Sequence, residues 1–491
     1  MGRRVAGTYL ATMATTLKPA RPSPGAGGYP LDAGHFDEAF AATGAPRRPY
    51  AELLDALARC DLSTLRERVR SNVSAAGLQF GPGREIDVDP VPRLLTAEEW
   101  EAVEPGLRQR ARALNAFVVD AYGPQRIFDA GVVPRRLLET SEGYEPAMRG
   151  LIDPDAPPAT VAGLDLVRDE DGELRVLEDN LRMPSGACYA FAVREVVALE
   201  LEAELRPRDL DEGYVEAMLA AILAAAPDGR GEPSAVILSD GPENGAWYEH
   251  ERFGRELGIA VVTPEQLETG RGRLFARRGR EREQVDVIYR RLDEDRLCEP
   301  DGSPTDLGEL LLPALRSGRL RCLNSFGTGL ADDKLTHAYV ERMVGFYLGE
   351  EPLLRSVPSF DLSDEAARAE AMERLEELVI KPRAGFGGHG VTIMPRATEP
   401  QRKRALGLLR RRPEHFIAQE TIAISTHPTV SGSSLQPRHV DLRPFVVSGP
   451  AGETAMTGGL TRYAQKAGEM VVNSSQGGGC KDTWVLDGEQ G

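Results

Sequence analysis

The chain is poor in cysteine, tryptophan and histidine, and it has no long apolar run. Its five cysteines (Cys60, Cys188, Cys298, Cys322, Cys480) are scattered, odd in number and never spaced C-x-x-C. That excludes a disulfide framework and a cysteine-built zinc site, and it fits reduced thiols in a cytoplasmic protein. No stretch approaches the roughly 20 apolar residues of a membrane helix, so no membrane partner is expected. The opening "MGRRVAGTYLATMATT" has basic residues and a short, Thr-diluted apolar stretch with no cleavage site, which argues against a signal peptide. Basic charge is also short, at 59 Lys and Arg against 76 Asp and Glu, a net −17. A nucleic-acid-binding surface is therefore not the main business of this protein, although a local basic cleft remains compatible.

What the chain does have is apolar residue enough for several cores, 41% of 491 positions. Residues 1–45 are rich in Gly, Pro, Ala and Thr ("KPARPSPGAGGYP") and read as a flexible leader. From 46 to 230 helical spacing dominates, in "YAELLDALARC", "LRERVRSNVSAAG" and "YVEAMLAAILAAA". Within that region a long helix is expected over 96–123, opened by Thr96 and Glu99 as a capping box, and another at about 191–205. Over 231–330, after a linker-like "PDGRGEPS", strand and helix patterns alternate ("AVILSDG", "YEHERFGRELG", "VDVIYRRL", "LGELLLPALRSG"). They predict a small three-layer α/β domain with a parallel sheet. Beyond 331, "ELVIKPR", "HFIAQETI", "VDLRPFVVS" and "ETAMTGGLTRYA" predict an α+β region with antiparallel sheet.

Chemistry concentrates in a few stretches. In "AGLDLVRDEDGELRVLEDNLRMPSG", Asp165 lies on one strand, residues 170–172 form a hairpin turn, and Glu178 and Asn180 lie on the returning strand. Alternate strand residues share a face, so three oxygen ligands gather where a plain core strand would carry Val or Ile. Such a donor set suits a hard cation, magnesium above all, and magnesium points to phosphate. "KPRAGFGGHG" brings Lys381 and a loop with Gly385, Gly387 and Gly388, whose amides can approach phosphate oxygens. It matches neither common phosphate-loop pattern, and a plain glycine hairpin would carry the same residues. Gln419 and Glu420 end a strand where backbone can meet an adenine edge. "DLR" sets Asp441 and Arg443 on one strand face, for which a structural ion pair is the plain alternative. Arg462 follows in "GGLTR" and Asn473 in "VVNSSQGGGCKD".

Asp165, Glu178-x-Asn180 and the Pro184-Ser185-Gly186 turn resemble the magnesium-binding end of ATP-grasp ligases. "DLRPFVV", Arg462 and "VVNSSQGGG" resemble the D-x-R…R…N…GG run of the ribosomal-protein glutamate ligases. In those relatives the glycine loop precedes the metal hairpin, and here it follows. From about residue 36 the chain therefore resembles the circularly permuted ATP-grasp family, often compared with glutathionylspermidine synthetase. The implied fold is α/β and α+β: a circularly permuted ATP-grasp fold with a helical N-terminal region and a small three-layer pre-ATP-grasp domain. Residues 46–230 would carry the metal segment and 231–330 the pre-ATP-grasp domain. Residues 331–425 would form the nucleotide-binding lobe, and 426–491, completed by 96–200, the second lobe.

The resemblance also implies ATP and Mg2+ as cofactors. Lys334, Lys381 and Gly385, Gly387 and Gly388 would lie on the phosphates, with Gln419 and Glu420 beside the base. Asp165, Glu178 and Asn180 would hold the metal. Arg443, Arg462 and Asn473 would be the catalytic groups, with the arginines on either the phosphoryl group or the carboxylate. The implied activity joins a small-molecule or peptide carboxylate to an amine through an acyl phosphate, in the cytoplasm, without nucleic acid or membrane. Phosphotransfer without amide formation, or nucleotide binding without catalysis, are the alternatives on the same fold. Ala192 and Val193 stand where Glu-Asn is expected before Arg194, a departure that bears on substrate identity. The permuted order further predicts that residues 455–486 pack with 160–186 and that Asn473 converges on Asn180.

Overall fold

Strand-forming segments from both ends of the chain meet in one nine-stranded sheet, the largest of four among the described residues. The computed structural model describes residues 28–201, 205–211, 213–227, 232–279, 281–294, 296–385, 390–470, 472 and 478–488. In the large sheet Gly479–Val485 runs parallel to Val88–Leu95 and antiparallel to Leu460–Tyr463, with every residue buried. Trp484 is 4% exposed. The C-terminal segment is thus an interior element of the sheet that also contains the hairpin Val161–Arg168 and Leu174–Asn180, as the permuted order predicts. Asn473 lies outside the described residues, and so do Gly387 and Gly388.

The expected strand "VDLRPFVVS" is divided at Pro444, which has no amide hydrogen to donate. Its halves Ser434–Arg443 and Phe445–Gly449 keep one register against the hairpin, with Leu442 opposite Leu166 and Phe445 opposite Gly163. The neighbouring Gly452–Ala455 and Leu460–Tyr463 are likewise interrupted. There Gly459 adopts φ +128°, and a Cβ would come 2.4 Å from the Arg443 carbonyl oxygen. Only glycine allows the two backbones to approach so closely beside the arginine.

Beneath the sheet runs Ala97–Tyr122, opened by the Thr96–Glu99 capping box. Its Leu107, Leu114, Phe117 and Val118 share a core with Leu164 and Leu166 of the hairpin. The strands Arg321–Leu323, Val287–Arg291, Ala235–Ser239 and Ala260–Val262 form the expected parallel sheet. Beside it is an unexpected antiparallel trio, Leu267–Gly270, Arg273–Arg278 and Glu281–Val285. Its charged sequence hides the strand pattern, but Arg271 and Gly272 both take positive φ, 53° and 69°, as a tight two-residue hairpin turn requires. A fourth, antiparallel sheet joins Ser359–Asp361, Phe416–Glu420, Leu378–Pro382 and Thr392–Ile393 over its own small core of Leu362, Leu378, Ile380, Met394 and Leu409.

The helix expected at 191–205 is Ala187–Ala198. It begins earlier because Glu249, from a distant helix, accepts the amides of Gly186 (2.8 Å) and Cys188 (3.1 Å), a cap invisible in local sequence. Of the leader, residues 1–27 lie outside the described residues, while Asp37, Glu38, Ala39 and Phe40 are buried. The Glu38 amide donates to Thr426 O at 2.9 Å and the Thr426 amide to Phe36 O at 2.8 Å. None of the five cysteines is in a disulfide. No described helix is long and apolar enough to cross a membrane.

Candidate active site

The hairpin is built to present oxygen atoms on one face. Asp165 pairs with Glu178 and Gly163 with Asn180, and a bulge after Asp165 shifts the register so that Leu166 pairs with Val176. Asp169 closes the turn by accepting the amides of Asp171 (3.1 Å) and Glu173 (2.9 Å). On the opposite face Asp179 receives Arg110 (2.8 Å) and His337 (2.7 Å), which tie the hairpin to the long helix and to the segment after Lys334. Burial alone would raise the Asp179 carboxyl, but Arg110 outweighs it and holds the group far below the usual carboxylate range.

Lys334 reaches this face from across the cleft. Its Nζ lies 2.8 Å from Glu178 Oε1 and donates to Gly385 O at 2.9 Å. Burial opposes the Glu178 charge, yet the Lys334 ammonium prevails and the carboxyl sits below its ordinary range. Lys381 extends from Leu378–Pro382 and donates to Gln419 Oε1. Burial, partly offset by Glu178, pushes Lys381 down to about 8. Gln419 spends its amide on Ser359 Oγ (3.0 Å) and Leu177 O (3.3 Å), so it binds the small sheet to the hairpin. The Glu420 carboxylate is held by Arg374 at 2.7 Å.

The other wall is an alternating charge network. Arg443 donates to both oxygens of Asp165, with Nη2 2.7 Å from Oδ2. Arg462 bridges Asp165 (2.9 Å) and Asp441 (2.6 Å). Burial raises Asp165, but Arg443 and then Arg462 overcome it, and the carboxyl lies well below its usual value. For Asp441 burial wins over Arg462, and the shift is upward. Two guanidinium groups thus face two carboxylates, and Arg443 also donates to Ser185 O at 3.2 Å.

A single cleft of about 740 Å³ is lined by Asp165, Glu178, Asn180, Lys334, Lys381, Gly385, Gln419, Glu420, Arg443 and Arg462. The fit to a hard cation rests on Glu178, which is 30% exposed on the side chain, and on Asn180, which lines the same cleft and can offer its side-chain oxygen. Asp165 shares that face with both of its oxygens already engaged by arginine.

Two contributors were missed in the sequence. Arg291 donates to Pro184 O (2.7 Å), Ser185 Oγ (2.6 Å) and Glu249 (2.6 Å), clamping the turn after the hairpin. It ends the parallel strand Val287–Arg291, and "IYRRLDED" was its signal, because ligand crevices form at carboxyl ends of parallel strands. Asp332 accepts the amides of Leu181 (2.5 Å) and Arg182 (2.9 Å) at the cleft floor. Burial pushes it up to about 7.

A lysine-lined cleft between a small antiparallel sheet and a large one, facing a carboxylate–amide hairpin, is the arrangement of an ATP-grasp ligase. The chain belongs to the circularly permuted ATP-grasp type 2 family, whose model matches residues 92–464. A Mycobacterium leprae protein of uncharacterised function is 39% identical over 463 residues, 92% of this chain and 82% of its own length. A Synechocystis protein, also uncharacterised, is 37% identical over 472 residues, 93% of this chain and 98% of its own. A Frankia alni protein named "Putative glutamate--cysteine ligase 2-3" is 39% identical over 462 residues, 92% of this chain but 54% of its own length. ATP-grasp ligases in general use ATP and magnesium.

Proposed function

We propose that the protein is an ATP-dependent carboxylate–amine ligase, forming an amide or peptide bond through an acyl phosphate and releasing ADP and phosphate. The observation that carries this reading is the convergence of Lys334, Lys381 and Glu178 in one cleft from three separate segments. Lys334 and Lys381 lie on the nucleotide phosphates, together with the loop that includes Gly385, Gly387 and Gly388. Gln419 and the backbone at Glu420 border the base, since the Glu420 carboxylate is committed to Arg374. Glu178 and Asn180, with Asp165, hold magnesium, which when bound neutralises charge on the phosphates.

The chain's own part is positioning and electrostatics. Lys334 leaves Glu178 for the phosphates, and the flexible ammonium follows the developing charge. Arg443 and Arg462 hold the phosphoryl group or the substrate carboxylate, joined by Asn473. Their charge is balanced by Asp165 and Asp441 in the resting protein, so the substrate anion competes with carboxylates already in place. The lobes exclude water from the acyl phosphate until an amine displaces phosphate. The name of the Frankia relative agrees with a small amino-acid acid and amine as substrates.

The test is ADP release over pooled carboxylates, with and without pooled amines. Amide product and ADP that require both pools support ligation. A stable phosphorylated product released over many turnovers from one substrate alone, with no amine required, overturns it in favour of phosphotransfer.

A further inference from the structure

Outside the cleft, one turn near the N-terminus and one strand of the large sheet bring metal-binding side chains together. Asp32 and His35 end a four-residue turn closed by the His35 amide on Asp32 O at 3.3 Å. Gly34 occupies its third position with φ +96°, the conformation a type II turn demands there. The turn holds the two side chains at its ends close in space. Facing them is His439 on Ser434–Arg443, with the two imidazole centroids 4.6 Å apart. One ligand atom each from Asp32, His35 and His439 lies within 4.8 Å of the others.

The hydrogen bonds fix which ring nitrogens are available. His35 Nδ1 lies 3.0 Å and His439 Nδ1 2.8 Å from the same Ile424 carbonyl oxygen. A carbonyl cannot donate, so each Nδ1 carries the hydrogen and each Nε2 of a neutral ring keeps its lone pair. Donation of the second ring nitrogen to a backbone carbonyl is how metal-ligating histidines are oriented. His439 is 1% exposed, and its Nε2 has no hydrogen-bond partner among the described residues. A buried, unpartnered imidazole nitrogen is costly unless something binds it.

We propose that Asp32, His35 and His439 bind a borderline divalent transition metal, zinc in the first instance, at a site separate from the magnesium-binding face. Two imidazole nitrogens and one carboxylate favour zinc over magnesium or calcium, which take oxygen ligands. Tetrahedral ligands at about 2.0–2.1 Å lie roughly 3.4 Å apart, so binding through the two Nε2 atoms and the Asp32 carboxylate requires the part-exposed Asp32 and His35 to rotate. The metal fastens the segment that carries Asp37–Phe40 to the strand bearing Asp441 and Arg443, two and four residues beyond His439. Ile424, whose carbonyl orients both rings, lines the catalytic cleft.

The full-length protein, stripped with a chelator and dialysed into magnesium buffer, is titrated with zinc chloride against a chromophoric chelator. One zinc per chain is expected. The part-exposed ligands are then removed singly, because His439 is buried and its loss threatens folding. His35→Ala and Asp32→Ala should each weaken zinc binding at least about 100-fold, beyond what loss of an outer partner costs, while Glu178→Ala binds zinc like the parent. Cobalt substitution should give a visible absorption spectrum that His35→Ala lacks. The proposal is overturned if the parent takes up no zinc, or if either ligand variant binds it as the parent does.

Discussion

Lys334 Nζ sits 2.8 Å from Glu178 Oε1, so a proposed phosphate-binding lysine and a proposed metal ligand neutralise each other across the cleft. The pair keeps the Glu178 carboxyl ionised and places both groups where the phosphates and their cation would arrive. Glu178→Ala and Asn180→Ala should each lower ADP formation at least about 100-fold, as loss of a preorganised electrostatic group does. Neither removes much apolar volume, so thermal unfolding should move little. Near-parental turnover at saturating substrate in either variant would remove that residue from the metal site.

Nucleotide binding should take up protons near pH 8. Burial lowers Lys381 to about 8, so at pH 8 roughly half the chains carry it neutral, and an arriving phosphate restores the ammonium. Calorimetry in two buffers of different ionisation enthalpy should give about half a proton bound per chain at pH 8 and almost none near pH 6. Lys381→Met should abolish the uptake and weaken ATP binding more than Lys334→Met does. Equal proton uptake in parent and Lys381→Met would place the titrating group elsewhere.

Much of this site is legible in sequence because it is local. Asp165, Glu178 and Asn180 announce themselves as polar residues at alternate positions of two apolar strands around an "EDG" turn, and the register aligns them as that pattern requires. Lys381 and Gln419 are likewise readable, since each lies on a clear strand. What sequence does not carry is the partner of each charge. Nothing around Arg443 indicates that its carboxylate is Asp165 rather than Asp441 two residues away, because that choice is made by strand order. The same holds for Glu249, which sits on a helix of ordinary amphipathic pattern and yet caps the start of the helix Ala187–Ala198. The charged trio at 267–285 escapes for a different reason: its few buried apolar residues, Leu267, Leu274, Ala276 and Val285, are interleaved with charged and polar residues too irregularly to mark an alternation.

Stability should respond to pH through Asp332. Its folded value, about 7, lies above the ordinary 3.8, so the folded protein holds this proton more tightly than the unfolded chain. The contribution is therefore complete below about 3.8 and is lost as pH rises towards 7. Asp332→Asn can still accept the Leu181 and Arg182 amides through its side-chain oxygen, but it cannot titrate. Urea midpoints measured between about pH 4 and 8 should show the parental midpoint falling relative to the variant's as pH rises. Parallel curves would exclude Asp332 as the group responsible.

The arginine network should be unequal in its two members. Arg462 is 6% exposed and serves both Asp165 and Asp441, so Arg462→Met leaves Asp441 without its guanidinium in a buried setting. Removing one partner from a buried ion pair costs about 3–5 kcal/mol. Arg443→Met is expected to cost less, because Arg462 still holds Asp165. Chemical unfolding measures both, and adding Asp441→Asn to Arg462→Met should recover part of the loss. A larger loss for Arg443→Met than for Arg462→Met would contradict this order.

The C-terminal strand should be indispensable for folding. Gly479–Val485 is hydrogen-bonded on both sides, to Val88–Leu95 and to Leu460–Tyr463, so its removal leaves two rows of backbone groups unpaired inside a sheet. Lys481 is fully buried against Asp89, and without it that carboxylate is left with the longer ion-pair contact to Arg66 at 3.9 Å. Trp484, Val485 and Leu486 fill space between the two large cores, and the Leu486 amide donates to Leu95 O at 2.9 Å. Gly479–Val485 joins the segment around Val88 to the strand that carries Arg462. Truncation after Gly479 should yield aggregated protein without a cooperative melt or ATP binding, as read by size-exclusion chromatography, circular dichroism and calorimetry. A soluble, cooperatively melting truncation that still binds ATP would show that the strand is dispensable and that the large sheet closes without it.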